Sequence, residues 1–380
     1  MAEAKINKEM MSWARKNAGY IGMYESQIPS SIKDKYKLWE NGEKYPTWNQ
    51  LREASKSYKV PTAVFFMKKP PIMEDLPDLI NYRKLGETNE YNSPKLIANI
   101  RKSESRRSIY LDLLKEMEEE VPIFKKCDLP KDKYVFSEFI RKSLNVDSFN
   151  QRNWFEKGTS KDYKHYNFLN KWKDLLNEKF NILIFETESV TIEEMRGLCI
   201  FHDTIPIILL NGKDSVNGRI FSLFHELTHL LLGKSAICDY DESTKEEIFC
   251  NAVAGEFLVP SNDLIKNVGD IENLSADNLK KLTHLYGVSE YVILRRLLDI
   301  DKITKIEYDE KVESLNNFVP KSKGNGGNYL NNMVKYNGKH YYSLILEAYD
   351  SGIINTFDFI KFTNLSKKHI HNLEEKIYGE

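Results

Sequence analysis

Long apolar runs, paired cysteines and an excess of either charge are all missing from this chain. No apolar stretch approaches the roughly 18–20 residues needed to span a bilayer. The opening MAEAKINKEM has no apolar h-region, so neither a membrane anchor nor an export signal is expected and a cytoplasmic location is. The four cysteines, Cys127, Cys199, Cys238 and Cys250, show no C-x-x-C spacing. Neither a disulfide framework nor a cysteine zinc site is indicated, and a reducing compartment fits. With 55 Lys and Arg against 56 Asp and Glu, overall charge singles out no class of partner. What remains is the balance of an ordinary soluble protein, 41% hydrophobic and 29% charged, and 380 residues leave room for two or three domains with a sizeable core.

The stretch Arg219 to Gly233, RIFSLFHELTHLLLG, reads as one short helix. It carries His225, Glu226 and His229 among Ile220, Phe221, Leu223, Phe224, Leu227, Leu230, Leu231 and Leu232. A helix that is apolar nearly all round is a buried helix. Burying two imidazoles and a carboxylate without partners would cost roughly 1–3 kcal/mol per group, so something must satisfy them. Positions 225 and 229 are one turn apart and project from one face, as two ligands of a single metal ion require, while Glu226 points to the side. This is the H-E-x-x-H arrangement of zinc peptidases, in which the histidines bind Zn²⁺ and the glutamate is general base for a metal-bound water. The competing use of the two histidines is hydrogen bonding to backbone within a core helix.

A catalytic zinc takes three protein ligands and leaves a position for water. The next helix, Thr244 to Pro260, TKEEIFCNAVAGEFLVP, has Thr244 as N-cap, Glu247 three positions on, and Pro260 as a stop. Glu247, Asn251 and Leu258 share one stripe, and Ala252, Ala254 and Gly255 permit close approach of another helix. Glu247 is the expected third ligand. Glu246 is its nearest rival, and Asp239, Asp241 and Glu242 lie in the intervening loop.

The run MRGLCIFHDTIPIILLNGKDSVNGRIFSLFHELTHLLLG followed by EIFCNAVAGEFLVP resembles the ImmA/IrrE family of zinc metallopeptidases, which carry HExxH and then an E-x-x-x-N helix ending in Leu-x-Pro. The resemblance implies His225, His229 and Glu247 as Zn²⁺ ligands in a gluzincin-like site, with Glu226 as catalytic base. Thr228 stands where a small residue is common, and Cys250, Val253 and Gly255 vary an Ala/Phe-rich helix; none removes a group the chemistry needs. The resemblance is densest over 195–260 and extends more weakly over 1–85 and 271–375. It implies limited proteolysis of one regulatory protein, a repressor or antitoxin, in stress response, mobile-element control or a toxin–antitoxin pair.

Residues 1–70 read as a small helical unit. ARKNAG, LWENGEKYPTWNQLREAS and VPTAVFF together resemble the XRE-type helix-turn-helix family, in which the helix before the WE-x-G turn enters the DNA major groove. Thirteen Lys/Arg stand against seven Asp/Glu through Pro70, and Lys33, Lys35 and Lys37 crowd that helix, so DNA is an expected partner. Gly22 and Pro29 interrupt the segment that should form the supporting second helix. A lysine-rich exposed helix is also an ordinary solvated face, and a module that docks a protein partner is the competing use.

A Pro-containing linker follows Pro70, then helices over Ser93–Glu119, Lys131–Leu144 and Tyr166–Phe180. Trp154, Tyr163, His165, Tyr166 and Trp172 are expected to pack between helices rather than to stack on bases. Strand character appears at Asn181–Phe185, Leu198–Phe201 and Ile205–Leu210. Ile205 to Asn211 is the candidate edge strand for binding an extended substrate by strand addition. His202, at a turn, is a surface histidine by expectation, as are His340, His369 and His371, and His284 an ordinary helix residue. GNGGN at 324–328 marks a joint before a helical tail.

The expected fold class is therefore α+β and mostly helical. A five-helix helix-turn-helix-like domain at 1–70 precedes a linker and helical region at 71–175. A zincin-like peptidase at 176–320, with about three strands packed on the HExxH helix, is followed by a helical segment at 321–380. The expected activity is that of a zinc-dependent endopeptidase acting on a protein substrate away from any membrane. The competing function is a DNA-binding regulator whose zinc domain is structural or a sensor.

Overall fold

The computed structural model describes residues 2–71, 77, 80–81, 92–156, 164–238, 244–268, 275–316 and 328–379. The chain divides into two compact units, one formed by Met1–Pro77 with Gly86–Ser105 and the other by Asp78–Leu85 with Arg106–Glu380. The residues Tyr163, Asp239, Asp241 and Glu242, most of the 70–85 linker and most of GNGGN lie outside the described residues.

In the first unit, residues 8 to 66 form four α-helices, Lys8–Asn17, Ser30–Lys33, Tyr36–Asn41 and Trp48–Tyr58, and two 3₁₀ turns, Gly22–Gln27 and Thr62–Phe66, in place of the five helices expected. The departure has a local cause. Gly22 and Pro29 leave a 3₁₀ turn and a single α-turn where one supporting helix was expected. Thr47 and Gln50 form a capping box that starts the last α-helix, as Ser/Thr-x-x-Gln spacing predicts. Ala14, Ile32, Tyr36, Trp39, Leu51, Ala54, Tyr58 and Phe65 make the core. Arg15, largely buried in it, donates to Glu40 (2.7 Å) and Glu25 (2.9 Å), so the one inward cation is matched. Lys33, Lys35 and Lys37 are exposed.

The second unit is built around a sheet of five strands rather than about three. Strands β1 (Ile80–Asn81), β2 (Leu183–Thr187), β3 (Gly197–Ile200), β4 (Ile207–Asn211) and β5 (Ala236–Cys238) run in the order β1-β5-β3-β4-β2. β3 is antiparallel to both β4 and β5, whereas β2–β4 and β1–β5 are parallel. Every residue of β2 to β5 is buried. That fits their near-continuous apolar runs, the signature of strands covered on both faces. The expected edge strand is internal: Ile207–Asn211 pairs with β2 on one side and β3 on the other, so its backbone is committed to the sheet and offers no open edge for a peptide. It also begins two residues later than expected. Ile205 has φ 48°, outside the extended region, and its carbonyl accepts from Arg107 Nε at 2.8 Å.

Two helices carry the motif residues and pack on each other. The motif helix, Val216–Leu231, is capped by Ser215, whose Oγ accepts from Gly218 N–H at 3.0 Å. It ends in a left-handed Gly233 (φ 72°), where Gly233 N–H and Lys234 N–H bond the Leu230 and His229 carbonyls. The acidic helix, Lys245–Leu258, is capped by Thr244 accepting from Glu247 N–H at 3.1 Å. The helix Lys164–Phe180 supplies Trp172, which meets Phe224 and Phe257 edge-on at 5.1 and 5.4 Å and Trp154 at 5.5 Å. Trp172 and Trp154 thus pack in or against the core and His165 packs on Phe155, as expected, whereas Tyr166 is exposed. Four further α-helices, Tyr329–Asn337, Lys339–Asp350, Thr356–Thr363 and Ile370–Tyr378, form the helical tail. Among the described residues no helix is long and apolar enough to cross a membrane.

Candidate metal centre

The motif helix is locked in place before it offers any chemistry. Near its start Arg219, buried, reaches Glu186 of β2 at 2.5 Å, and Lys173 donates to the same carboxylate. Burial alone would raise the Glu186 carboxyl. The charges of Lys173 and Arg219 outweigh that and hold it below the usual carboxylate range. At the cap, Asp214 accepts from Ser215 N–H and pairs with Arg196 at 3.0 Å.

Less than two turns along, His225, Glu226 and His229 are completely buried. The Nε2 atoms of His225 and His229 are 3.1 Å apart. The acidic helix brings Glu247 against both, with Oε1 2.9 Å from His229 Nε2 and Oε2 3.2 Å from His225 Nε2. On the far side of its ring His225 Nδ1 lies 2.8 Å from Asn251 Oδ1, one turn beyond Glu247. With that amide oxygen accepting from Nδ1–H, the His225 Nε2 lone pair faces the cluster, the usual support of a metal-bound histidine. Burial raises the Glu247 carboxyl, but hydrogen bonds and charge from His225 and His229 more than offset this and bring it to about 2.

The donor set fits a divalent metal ion. Ligands held at about 2.0–2.1 Å in a tetrahedron lie about 3.3 Å from one another. The three separations among the two imidazoles and the carboxylate fall at 2.9–3.2 Å. Two imidazole Nε2 atoms and a carboxylate converge on one point, an arrangement that a shared ion would fit. Glu226 stands beside them with both carboxylate oxygens buried and the thiol of Cys199 against it. Burial pushes its carboxyl above the usual range. Gly197 of β3 makes the room: a Cβ there would sit 2.5 Å from Glu226 Oε1.

The structure thus brings His225, Glu226, His229 and Glu247 to one place. The rival Glu246 lies 3.6 Å from His229 Nδ1, on the ring edge away from the convergence point, and 3.7 Å from Lys234 Nζ. His202 is half-buried and outside the cluster. His371 is exposed, His340 is 3.6 Å from Asp174, and His284 packs on Phe155.

One member was not anticipated. Cys238, the last residue of β5, is completely buried, with Sγ 3.4 Å from His229 Nε2 and 3.7 Å from Glu247 Oε1. One ligand atom each from His225, His229, Cys238 and Glu247 all lie within 4.8 Å of one another. No spacing motif announces it, because the residue reaches the site through strand pairing. The short apolar run Ala236-Ile237-Cys238 after a helix-ending glycine was the only sequence signal available. All four cysteines are free and buried.

No curated protein and no solved structure matches the chain. Residues 177–298, about a third of the chain, match the family model Peptidase_M78, IrrE N-terminal-like domain, a metallopeptidase family, and this match supports the ImmA/IrrE resemblance over the span that contains every residue of the cluster.

Proposed function

We propose that the second unit is a zinc-dependent endopeptidase that performs limited proteolysis of a regulatory protein. The observation that carries this is the convergence of His225, His229 and Glu247 at tetrahedral separations beside the buried carboxylate of Glu226. In this reading the two imidazoles and Glu247 hold Zn²⁺. When bound there, the ion supplies Lewis acidity toward a scissile carbonyl and acidifies water. Glu226 takes the proton from the attacking water and passes it to the leaving amine. Asn251 keeps His225 in the ligating tautomer, and the Arg219–Glu186–Lys173 cluster keeps the helix from turning. A repressor or antitoxin as substrate follows from the family resemblance.

Zinc content per chain after dialysis tests the first part. About one ion in the wild type and much less in Glu247→Ala are expected, and a folded wild type that takes up none after reconstitution sinks the reading. Glu226→Gln tests the second: zinc and fold persist and cleavage of the cognate substrate stops.

A second reading applies to the first unit, where Lys33, Lys35 and Lys37 are exposed around the turn between two short helices. Binding of DNA there would place the peptidase beside a promoter-bound substrate. It requires salt-dependent, sequence-selective binding near physiological ionic strength, weakened by Lys→Ala at these positions.

A further inference from the structure

We infer that Cys238 is a fourth protein ligand, so that the metal centre is closed by a His–His–Glu–Cys donor set and the peptidase is latent until the sulfur is displaced. The inference rests on the metal-binding reading above and specifies the state of that same site.

The geometry is what points to it. A sulfur at about 2.3 Å and a nitrogen or oxygen at about 2.0–2.1 Å from one tetrahedral ion lie about 3.5 Å apart. Cys238 Sγ stands 3.4 Å from His229 Nε2 and 3.7 Å from Glu247 Oε1, while those two atoms and His225 Nε2 stand 2.9–3.2 Å from one another. Toward His229 and Glu247 the sulfur therefore sits at the longer spacing its larger radius demands, and the His225 ligand atom lies within 4.8 Å of it. The other buried thiols are placed differently. Cys199 of β3 has its Sγ 3.6 Å from the Lys234 carbonyl, and Cys250 lies on the acidic helix against His229; neither joins the four-residue group.

A closed four-ligand shell is the arrangement of a structural zinc site, whereas a catalytic site keeps one position for water. Yet Glu226 is buried beside the shell with the weak donor of the Cys199 thiol against it, an expensive placement for a carboxylate that merely fills space. Both facts are met if the fourth position changes hands. The backbone at Cys238 is held by the sheet: its carbonyl accepts from Arg196 N–H at 3.0 Å and the residue pairs with Gly197. Displacing the sulfur would take rotation about its own Cα–Cβ bond, a change that leaves the pairing of β5 untouched. Until the sulfur is displaced, Glu226 has no water at the metal to deprotonate.

The test uses the whole chain loaded with cobalt(II) and, separately, with zinc. A thiolate ligand gives cobalt a near-ultraviolet sulfur-to-metal charge-transfer band. The wild type is expected to show it, Cys238→Ala to lose it, and Cys199→Ala and Cys250→Ala to keep it. In X-ray absorption at the zinc edge the wild type should show one sulfur scatterer at about 2.3 Å, which needs no variant to fold. Zinc affinity of Cys238→Ala should fall at least about tenfold, since loss of mere outer-shell partners already costs that much. A metal-loaded wild type with only nitrogen and oxygen neighbours, or a band that survives Cys238→Ala, overturns the inference and leaves the three-ligand peptidase standing. A folded chain that binds neither metal overturns both.

Discussion

Two polar clusters are buried on the same helix less than two turns apart, and they are satisfied in opposite ways. At Arg219 unlike charges face one another: one carboxylate, Glu186, meets the cations of Arg219 and Lys173, with Lys335 at 3.8 Å. At His225 and His229 the groups that face one another are side chains of the kind that ligate metals, two imidazoles, a carboxylate and a thiol, and the neighbouring Glu226 is buried against the Cys199 thiol. The first kind of cluster holds a helix in position. The second is a group of side chains that could hold a metal ion, and this contrast is a more direct guide to function than the motif itself.

The contrast can be broken most severely at Glu186. Glu186→Ala leaves two buried cations without counter-charge and should cost about 3–5 kcal/mol in denaturant unfolding, with the zinc content of the surviving folded protein unchanged. A loss below about 1 kcal/mol would show that this cluster is not the anchor it looks like. The second cluster should respond to metal instead. Zinc at a hundredfold excess over its dissociation constant should stabilise the wild type by about 2.7 kcal/mol, and Glu247→Ala should abolish that increment. Asn251→Ala, which removes the hydrogen bond to His225 Nδ1, should lower zinc affinity by about 10–100-fold, read by chelator competition.

The smallest effect sharpens the first half of the comparison. The folded-state pKa of Glu186 lies below its ordinary 4.5, so its contribution to stability is fully present above that value and is lost as pH falls through the folded pKa. The stability difference between wild type and Glu186→Gln should therefore be constant at neutral pH and narrow below about pH 4.5. A difference that widens on acidification would mean the carboxyl is held protonated.

Helix-borne features were legible because their rules are local. His225 and His229 one turn apart, the Thr244 cap, and Glu247 with Asn251 on one stripe all follow from 3.6 residues per turn, and each stands where that period puts it. Strand-borne features were not, because neighbours in a sheet need not be neighbours in the chain. Ile207–Asn211 reads as a strand, but nothing in its own residues says that β2 and β3 will flank it and remove it from the edge. Cys238 is the sharper case. It comes nine positions after His229 in no metal-binding spacing, on a strand of three residues, and it meets the cluster only because β5 pairs with β3 over Gly197. The 3₁₀ turn at Gly22–Gln27 lies between these extremes: Gly22 and Pro29 foretold a disrupted helix without specifying what would replace it.

Gly233 has a consequence for how the site is assembled. By ending the motif helix in a left-handed turn it folds the chain back at once, so every donor atom of the cluster lies between residues 225 and 247. Loop-closure entropy grows only with the logarithm of loop length, and here the loops are short from the outset. An ion bound to these donors thus acts as a local clasp on one helix–strand–helix segment. It ties that segment together without recruiting either chain terminus.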